Sequence, residues 1–128
     1  MTRRMIVCGG RSYTLTGKDC SDLRTLVLWG RIDEVLHGDA RGADRGAAAA
    51  IAKLCTVRAM PADWDTWGRA AGPKRNRDML TEAMAGCTMT DGDRVLVVAF
   101  PGGPGTRHMV TIARAAGCVC LTMHWSLQ

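Results

Sequence analysis

The sequence predicts a single α/β domain with three-layer α/β/α architecture and a five-stranded, mainly parallel sheet. Two observations lead to this fold class. Along the 128 residues, short apolar runs alternate with segments of helical spacing, which is the order of repeated βα units. The run at 95–100 is apolar without interruption, as is typical of strands covered on both faces in parallel sheets. A chain of this length buries roughly two-thirds of its unfolded surface, so residues 1–128 are expected to share one core.

Each element follows from a local pattern in the chain. The first four are a strand at 5–8, a helix at about 18–29, a strand at 34–37 and an alanine-rich helix at 47–54. The later ones are a strand at 56–60, a loop at 61–72, a helix at 73–84, a strand at 93–100, a helix that ends at Gly117 and a strand at 118–123. Thr16 or Asp19 can cap the first helix. Pro73 suits a first helical turn, and Gly117 suits the position just after a helix end.

Composition and charge exclude several classes of protein. No run approaches the ~20 apolar residues of a membrane span, and residues 1–4 lead into a strand-like segment instead of a signal-peptide core. We therefore expect no membrane partner and a cytoplasmic location. The six cysteines form no CxxC pair and no zinc-spaced cluster, so neither a metal site nor a disulfide framework is expected. The formal charge of +5 is uneven, with a basic segment at 69–77.

Glycine-rich and polar stretches follow four predicted strands, at the ends where a doubly wound sheet binds ligands. These stretches are Gly9-Gly10-Arg11, His37-Gly38-Asp39-Ala40-Arg41-Gly42-Ala43-Asp44, Asp63-Trp64 and Pro101-Gly102-Gly103-Pro104-Gly105-Thr106. The last is the most specific, because three glycines and a threonine at a helix start suit phosphate binding by free amides. The dinucleotide fingerprint GxGxxG and the Walker A pattern do not occur, which argues against whole-NAD binding and ATP hydrolysis. No cofactor is expected.

Polar residues after the second strand each have two interpretations. Asp39 and Asp44 can hydrogen-bond ribose hydroxyls or activate a water as general base. Asp44 can instead complement a helix dipole from the first turn. Arg41 can pair with a phosphate or be a solvated loop charge. His37 can belong to the site or be a satisfied buried histidine.

The remaining candidates are also open to two interpretations. Gly9-Gly10 can approach a ligand or simply make a sharp turn. Trp64 and Trp67 can stack on a nucleobase, or they can cover a sheet edge or a subunit interface. Arg75 and Arg77 can hold a second phosphate or lie on a solvated helix face.

Five stretches together resemble the SLOG superfamily, and more narrowly its small YspA-like branch, which is common in phages and bacteria. They are 8–11, 37–44, 61–64, 72–77 and 101–106, and the match runs from residue 6 to about 123. The resemblance implies a Rossmann-like fold that binds a nucleotide or a nucleotide-derived ligand, such as an NAD- or ADP-ribose-like signal. It also implies a homodimer or higher homo-oligomer. If the protein is phage-encoded, the expected location is the host cytoplasm.

The resemblance also assigns roles by position. It implies that the glycines and threonine of 101–106 hold phosphate, and that Arg75, within Arg75-Asn76-Arg77, contacts phosphate or ribose. The LOG phosphoribohydrolases of this superfamily carry a glutamate three residues after the threonine, which N-glycosidic cleavage needs. Here that position is Met109. A thioether can neither accept a proton nor stabilise an oxocarbenium-like centre.

Three functions remain in comparison. The first is a binding protein that senses or sequesters a nucleotide-derived molecule. The second is a nucleotide phosphoribohydrolase or N-glycosidase in which a loop aspartate acts as base. The third is single-stranded DNA binding, in the manner of the DNA-processing protein A group, through 69–77 and the tryptophans. Because Met109 replaces the glutamate, we rank the binding protein first.

Overall fold

A computed structural model describes residues 2–87 and 95–125. The strands are β1 (Arg4–Cys8), β2 (Glu34–His37), β3 (Thr56–Ala59), β4 (Leu96–Ala99) and β5 (Val119–Thr122). The helices are α1 (Gly17–Trp29), α2 (Ala43–Ile51), α3 (Trp64–Trp67), α4 (Ala71–Met84) and α5 (Pro104–Ala115), with a 3-10 turn at Gly68–Ala70. The strands form a single sheet in the order β3-β2-β1-β4-β5, and every pairing is parallel. The predicted fold class is confirmed, while residues 93 and 94 of the predicted fourth strand lie outside the described residues.

Helices cover both faces of this sheet. Successive residues of a strand point to opposite faces, and β1 shows the consequence. Met5 and Val7 pack in the core formed with α1 and α2, whereas Ile6 and Cys8 pack in the core formed with α4 and α5. All four side chains are buried. A strand covered on both sides needs apolar residues at every position, which is why the run is uninterrupted.

β1 and β4 lie side by side at the point where the strand order reverses. The chain runs outward from β1 through β2 to β3, and then returns to place β4 and β5 on the other side of β1. The register pairs Cys8 with Ala99, so the loops after β1 and β4 leave the sheet together. Open α/β sheets bind ligands in the crevice at such a switch point.

The prediction of a loop at 61–72 is wrong from residue 64 onward, where the chain is helical. The Asp63 side chain accepts a hydrogen bond from the Thr66 amide at 3.1 Å and thereby caps α3. α4 then begins at Ala71, two residues before Pro73. Pro73 still lies in the first turn, where amides have no intrahelical partner and a missing N–H costs little.

The alanine-rich helix begins at Ala43 and ends at Ile51, so its predicted bounds of 47–54 are also wrong. Gly42 precedes it with φ 82° and ψ −123°, a conformation that favours glycine. A Cβ on Gly42 would also collide with the Arg11 carbonyl group. This tight turn places Asp44 in the first turn of α2, as one interpretation of that residue required.

The predicted caps of α1 and α5 are confirmed. Thr16 and Asp19 form a reciprocal capping box, in which each backbone amide donates to the other side chain at 3.0 Å. Gly117 follows the end of α5 with φ 86°. Across 2–87 and 95–125, no helix has the length and apolar character needed to cross a membrane.

Candidate functional site

A cleft of about 1240 Å³ lies among the loops after β1, β2, β3 and β4 and the start of α4. Its volume exceeds that of a typical small-molecule pocket, roughly 300–1,000 Å³, so it can hold a ligand built from several chemical groups. The predicted site residues that line it are Gly9, Gly10, Arg11, Gly38, Asp39, Arg41, Asp44, Trp64, Arg75, Asn76, Pro101, Gly102, Gly103, Gly105 and Thr106. The predicted site residues outside this lining are His37, Gly42 and Asp63.

Gly10 joins three of the loops that form the cleft. Its amide donates to the Pro101 carbonyl at 2.8 Å, and its carbonyl accepts from the Tyr13 and Ala43 amides, both at 3.2 Å. A Cβ on Gly10 would lie 2.9 Å from the Pro101 oxygen and 3.1 Å from Gly102 Cα. The loops after β1 and β4 therefore approach so closely that only glycine fits between them.

The N-terminus of α5 opens into the cleft without a side-chain cap. Gly103 occupies the N-cap position, and Pro104, which has no N–H, follows it. Gly105 and Thr106 bring first-turn amides to the cleft wall, where the helix dipole adds partial positive charge. A Cβ on Gly102 would collide with the Thr106 hydroxyl. A Cβ on Gly103 or Gly105 would meet no atom of the described residues within 4 Å, so packing does not require glycine there.

Arg75 and Asn76 of α4 hold the cleft loops in place. The Arg75 guanidinium donates to the Gly38 carbonyl at 2.8 Å, so part of its donor set is used within the protein. Burial lowers the pKa of Arg75, and the charge of Asp44 opposes that shift. Asn76, which is buried, accepts from Arg75 Nε and donates to the Gly105 carbonyl, both at 3.1 Å. Asn76 thus ties α4 to the first turn of α5.

Asp44 is a buried carboxyl group in the cleft lining, only 4% exposed. Oδ2 accepts a hydrogen bond from the Ala40 amide at 3.3 Å. Oδ1 is buried and has no hydrogen-bond partner among the described residues. Burial raises the pKa of Asp44 to about 6, although the Ala40 and Gly38 amides and the Arg75 charge oppose the shift. An unpaired buried polar atom costs about 1–3 kcal/mol and is rare in native proteins.

The other polar residues at and after the end of β2 either have partners within the protein or are exposed to solvent. Asp39 has φ 56° and pairs with Arg45, whose Nε lies 3.3 Å from its carboxylate. His37 is buried at the end of β2, and its Nδ1 accepts from the Asp39 amide at 3.0 Å. Burial lowers the pKa of His37, so His37 fits the interpretation of a satisfied buried histidine. Arg41 is exposed along the cleft.

Trp64 stands at one wall of the cleft and is about half exposed. The Arg11 guanidinium carbon lies 5.6 Å from the centroid of its ring, so the two form an exposed aromatic and cationic surface. Trp67 lines a smaller neighbouring pocket instead, with Lys74 Nζ 5.3 Å from its ring centroid. Asp63 also lies at that smaller pocket.

Sequence analysis missed Tyr13, which lines the cleft after β1. Its hydroxyl donates to the buried Asp19 carboxylate at 2.5 Å, and His124 Nε2 lies 2.8 Å from the other Asp19 oxygen. Its ring stacks on Phe100 at a centroid distance of 5.6 Å. The capping pattern pointed to Asp19, but no local signal connects it to His124. The other lining residues outside the predicted set are Cys8, Ser12, Ala40, Arg45, Pro61, Ala62, Gly72, Met79 and Pro104.

Met109, at the position of the LOG glutamate, is fully buried in the core between the sheet and α5. It is not part of the cleft lining. The carboxyl groups that the described residues bring to the cleft are those of Asp39 and Asp44. Any carboxylate that acts as acid or base in this cleft would therefore come from the loop after β2 or from the first turn of α2.

Fold and cleft together define a class: a Rossmann-like α/β protein with an uncapped helix N-terminus and a buried carboxyl group at its switch point. In comparisons with known proteins, the chain matches no described family and no curated protein. The resemblance to the SLOG superfamily accordingly stays a prediction.

Proposed function

We propose that this protein binds a nucleotide or a nucleotide-derived molecule, including NAD- or ADP-ribose-like signals, and that it senses or sequesters this ligand. The phosphate lies at the N-terminus of α5, and the rest of the ligand extends along the cleft. The observation that carries the proposal is the uncapped first turn of α5 at the switch point, where Gly103 and Gly105 leave the backbone accessible. Membership of the SLOG superfamily and a homo-oligomeric state belong to the same proposal.

The charges around the cleft support an anionic ligand. Arg11, Arg41 and Arg75 line it, while the Asp39 carboxylate is already paired with Arg45. The surface formed by Trp64 and Arg11 supports a ligand that also carries a base, because stacking on an aromatic ring contributes roughly 1–3 kcal/mol. Phosphate and base would then be held at separate walls of one cleft.

Calorimetric titration of inorganic phosphate, AMP and ADP-ribose into the wild-type protein and a Gly105→Ala variant tests this proposal. The added methyl group stands in open space at the cleft wall, so it narrows the approach to the helix amides without disturbing the core. We expect the affinity for each ligand that binds to fall at least about tenfold, a loss of about 1.4 kcal/mol in binding free energy. The variant should keep or gain stability, because alanine is favoured over glycine in a helix by up to ~1 kcal/mol.

Gly17→Ala is the matched control. Gly17 is the first residue of α1, and a Cβ there also meets no atom of the described residues within 4 Å. It lies outside the cleft lining, so its binding constants should equal those of the wild type. Failure of the wild type to bind phosphate, AMP and ADP-ribose would refute the proposal, as would equal binding by Gly105→Ala. A single-stranded oligonucleotide in the same panel tests the DNA-binding alternative.

The position of Asp44 favours a second candidate function, N-glycosidic hydrolysis of a bound nucleotide. A carboxyl group whose pKa is raised to about 6 can act as general base near neutral pH. Water would attack the anomeric carbon as the bond to the base breaks, and Asp44 would take the proton of that water. Release of free adenine from AMP, or of nicotinamide from NAD, by the wild-type protein would support hydrolysis. Asp44→Asn should abolish this release. Binding without release would support the sensor or sequestering protein.

A further inference from the structure

We propose that a patch at the ends of α1 and α2 docks the protein on an anionic lipid surface. The patch combines three exposed apolar side chains with three basic ones, and we call it the amino-edge patch. Its members are Arg24, Leu28, Trp29, Arg31, Lys53 and Leu54. The proposal does not rest on the proposed function, because the cleft lies at the opposite edge of the sheet.

The apolar side chains of the patch have no role in the core. Among the described residues, six large apolar side chains are exposed. Two of them, Trp64 and Trp67, line the cleft and the smaller pocket, and a third lies at the start of β5. The other three form the patch, with exposed fractions of 59% for Leu28, 85% for Trp29 and 38% for Leu54. Exposed apolar side chains that occur together mark interaction sites.

Hydrogen bonds place these side chains at the edge of the sheet where the strands begin. The Asp33 amide, just past α1, donates to the Arg3 carbonyl, just before β1, at 2.8 Å. The Thr56 amide, at the start of β3, donates to the Asp33 carbonyl at 3.2 Å. The end of α1 and the turn after α2 therefore meet at one edge. Arg24 Nε also donates to the Ala50 carbonyl at 3.0 Å, which links the two helices one turn before Leu28 and Leu54.

The basic side chains of the patch leave it positively charged. Arg24, Arg31 and Lys53 are exposed, and none of the three pairs with a carboxylate within residues 2–87 and 95–125. Two acidic side chains lie near them in sequence, and both are already bonded: Asp22 to Lys18, and Asp33 to the Arg3 amide. The surface that the patch complements is therefore anionic.

The mixture of side chains favours lipid over other anionic partners. The aliphatic Leu28 and Leu54 cannot stack on bases as a nucleic acid would require. In a symmetric dimer, the three basic side chains would meet their own copies. Trp29 protrudes, and tryptophan is enriched at membrane interfaces, where an apolar ring is buried while its N–H stays wet.

The sequence-based expectation of no membrane partner concerns a different mode of binding. It rests on the lack of an apolar run long enough to span a bilayer. A protein that lies on the bilayer surface needs no such run, because its affinity comes from buried apolar side chains and from attraction to anionic lipids.

Co-sedimentation of the wild-type protein with lipid vesicles tests the proposal. One set of vesicles is pure phosphatidylcholine, and the other contains one-third phosphatidylserine. At about 0.1 M salt we expect partitioning to be about 100-fold stronger on the anionic vesicles, because each basic side chain contributes about fivefold near an anionic surface. At about 1 M salt the screening length falls from about 10 Å to about 3 Å, so the difference should largely disappear.

Two variants assign the binding to the patch. Trp29→Ala should weaken partitioning on the anionic vesicles at least about tenfold, with an unchanged unfolding temperature because the side chain is exposed. Arg31→Asn combined with Lys53→Gln should weaken it about 30-fold through the loss of two charges. Asparagine suits the position of Arg31, whose φ is 52°.

Matched controls lie elsewhere on the surface. Trp67→Ala removes a half-exposed tryptophan outside the patch. Arg107→Gln combined with Arg114→Gln removes two exposed charges from α5, which packs on the opposite face of the sheet from α1 and α2. Both controls should bind the anionic vesicles within about twofold of the wild type, because charges beyond a Debye length of the lipid are largely screened.

The proposal is overturned if the wild type ignores the anionic vesicles, binds both kinds equally, or binds them as well after Trp29→Ala. Light scattering in solution tests a second copy as the partner: a dimer that Trp29→Ala converts to monomer would make the patch an interface between copies and overturn the lipid assignment. A single-stranded oligonucleotide that binds through Trp29 while vesicles do not would likewise overturn it.

Discussion

Asp44 occupies a position that lowers the stability of the folded protein at neutral pH. Its pKa rises from 3.8 to about 6 because burial disfavours the charged form. Between about pH 4 and 6 the folded state keeps a proton that the unfolded state releases. The contribution of Asp44 to the free energy of unfolding therefore falls as pH rises through this window and stays low above it. The shift corresponds to about 3 kcal/mol.

We predict that Asp44→Asn is more stable than the wild type above pH 6, by about 1–3 kcal/mol, and that this advantage disappears near pH 4. The variant cannot ionise, so it avoids the cost of a buried charge. Urea unfolding at pH 4, 5, 6 and 7.5 measures the difference. Arg75 and Asp39 act on Asp44 electrostatically, and both are present in the two proteins. A difference that does not change with pH would contradict the assignment.

At the scale of the elements, the start of α2 depends on the conformation of a single glycine, Gly42. Gly42 and Gly68 have similar backbone angles, with φ 82° and ψ −123° for the first and φ 56° and ψ −132° for the second. A Cβ on Gly42 would collide with the loop after β1, whereas one on Gly68 would meet no atom of the described residues within 4 Å. An alanine at Gly68 therefore adds backbone strain alone, whereas an alanine at Gly42 adds both backbone strain and a steric collision.

We predict that Gly68→Ala lowers the free energy of unfolding by about 1–3 kcal/mol, the cost of a strained backbone conformation. Gly42→Ala should lower it by more, because the loops after β1 and β2 must also move apart. Urea unfolding of both variants measures the two losses in the free energy of unfolding. The difference between them is the energetic cost of the collision at Gly42. Equal losses would show that the loops yield without cost.

The strands and the helices α1 and α5 could be predicted because their sequence signals are local. Uninterrupted apolar runs identify buried strands, and the cap at Thr16 and the glycine at 117 mark helix ends. The segment at 61–72 was predicted wrongly because its helices depend on the Asp63 cap and on packing, while its glycines favoured a loop. The bounds of α2 were missed because alanine spacing does not show that Gly42 turns the chain into the helix at once.

At the scale of the molecule, the cleft could be located because topology gathers the loops at one edge. The rule that ligands bind at carboxyl ends of parallel strands selected Gly10, Gly103 and Asp44 before any contact was known. The rule could not show that the Arg75 guanidinium donates a hydrogen bond to the Gly38 carbonyl, since that contact depends on how α4 packs. Nor could it find Tyr13, whose hydroxyl is fixed through a carboxylate on α1.

That carboxylate, Asp19, connects the start of α1 and the loop before it with the segment after β5. It is 1% exposed and bonds to Tyr13, to the Thr16 amide and to His124 beyond β5. Burial pushes the pKa of Asp19 upward, but the hydrogen bonds from Tyr13, His124 and Thr16 outweigh it and lower the pKa to about 2. Asp19 thus stabilises the fold fully above pH 4, and this stabilisation is lost as pH falls through about 2.

We predict that Asp19→Asn lowers the free energy of unfolding by about 2 kcal/mol at pH 7, because an amide cannot satisfy all three partners. The loss should shrink to roughly half at pH 3, where Asp19 in the unfolded wild type is protonated and the folded carboxylate is not. Urea unfolding at both pH values measures it. Asp22→Asn, an exposed pair with Lys18 on the same helix, should change stability by less than about 0.5 kcal/mol. A loss of equal size at pH 7 and pH 3 would mean that Asp19 acts through shape and not through its charge.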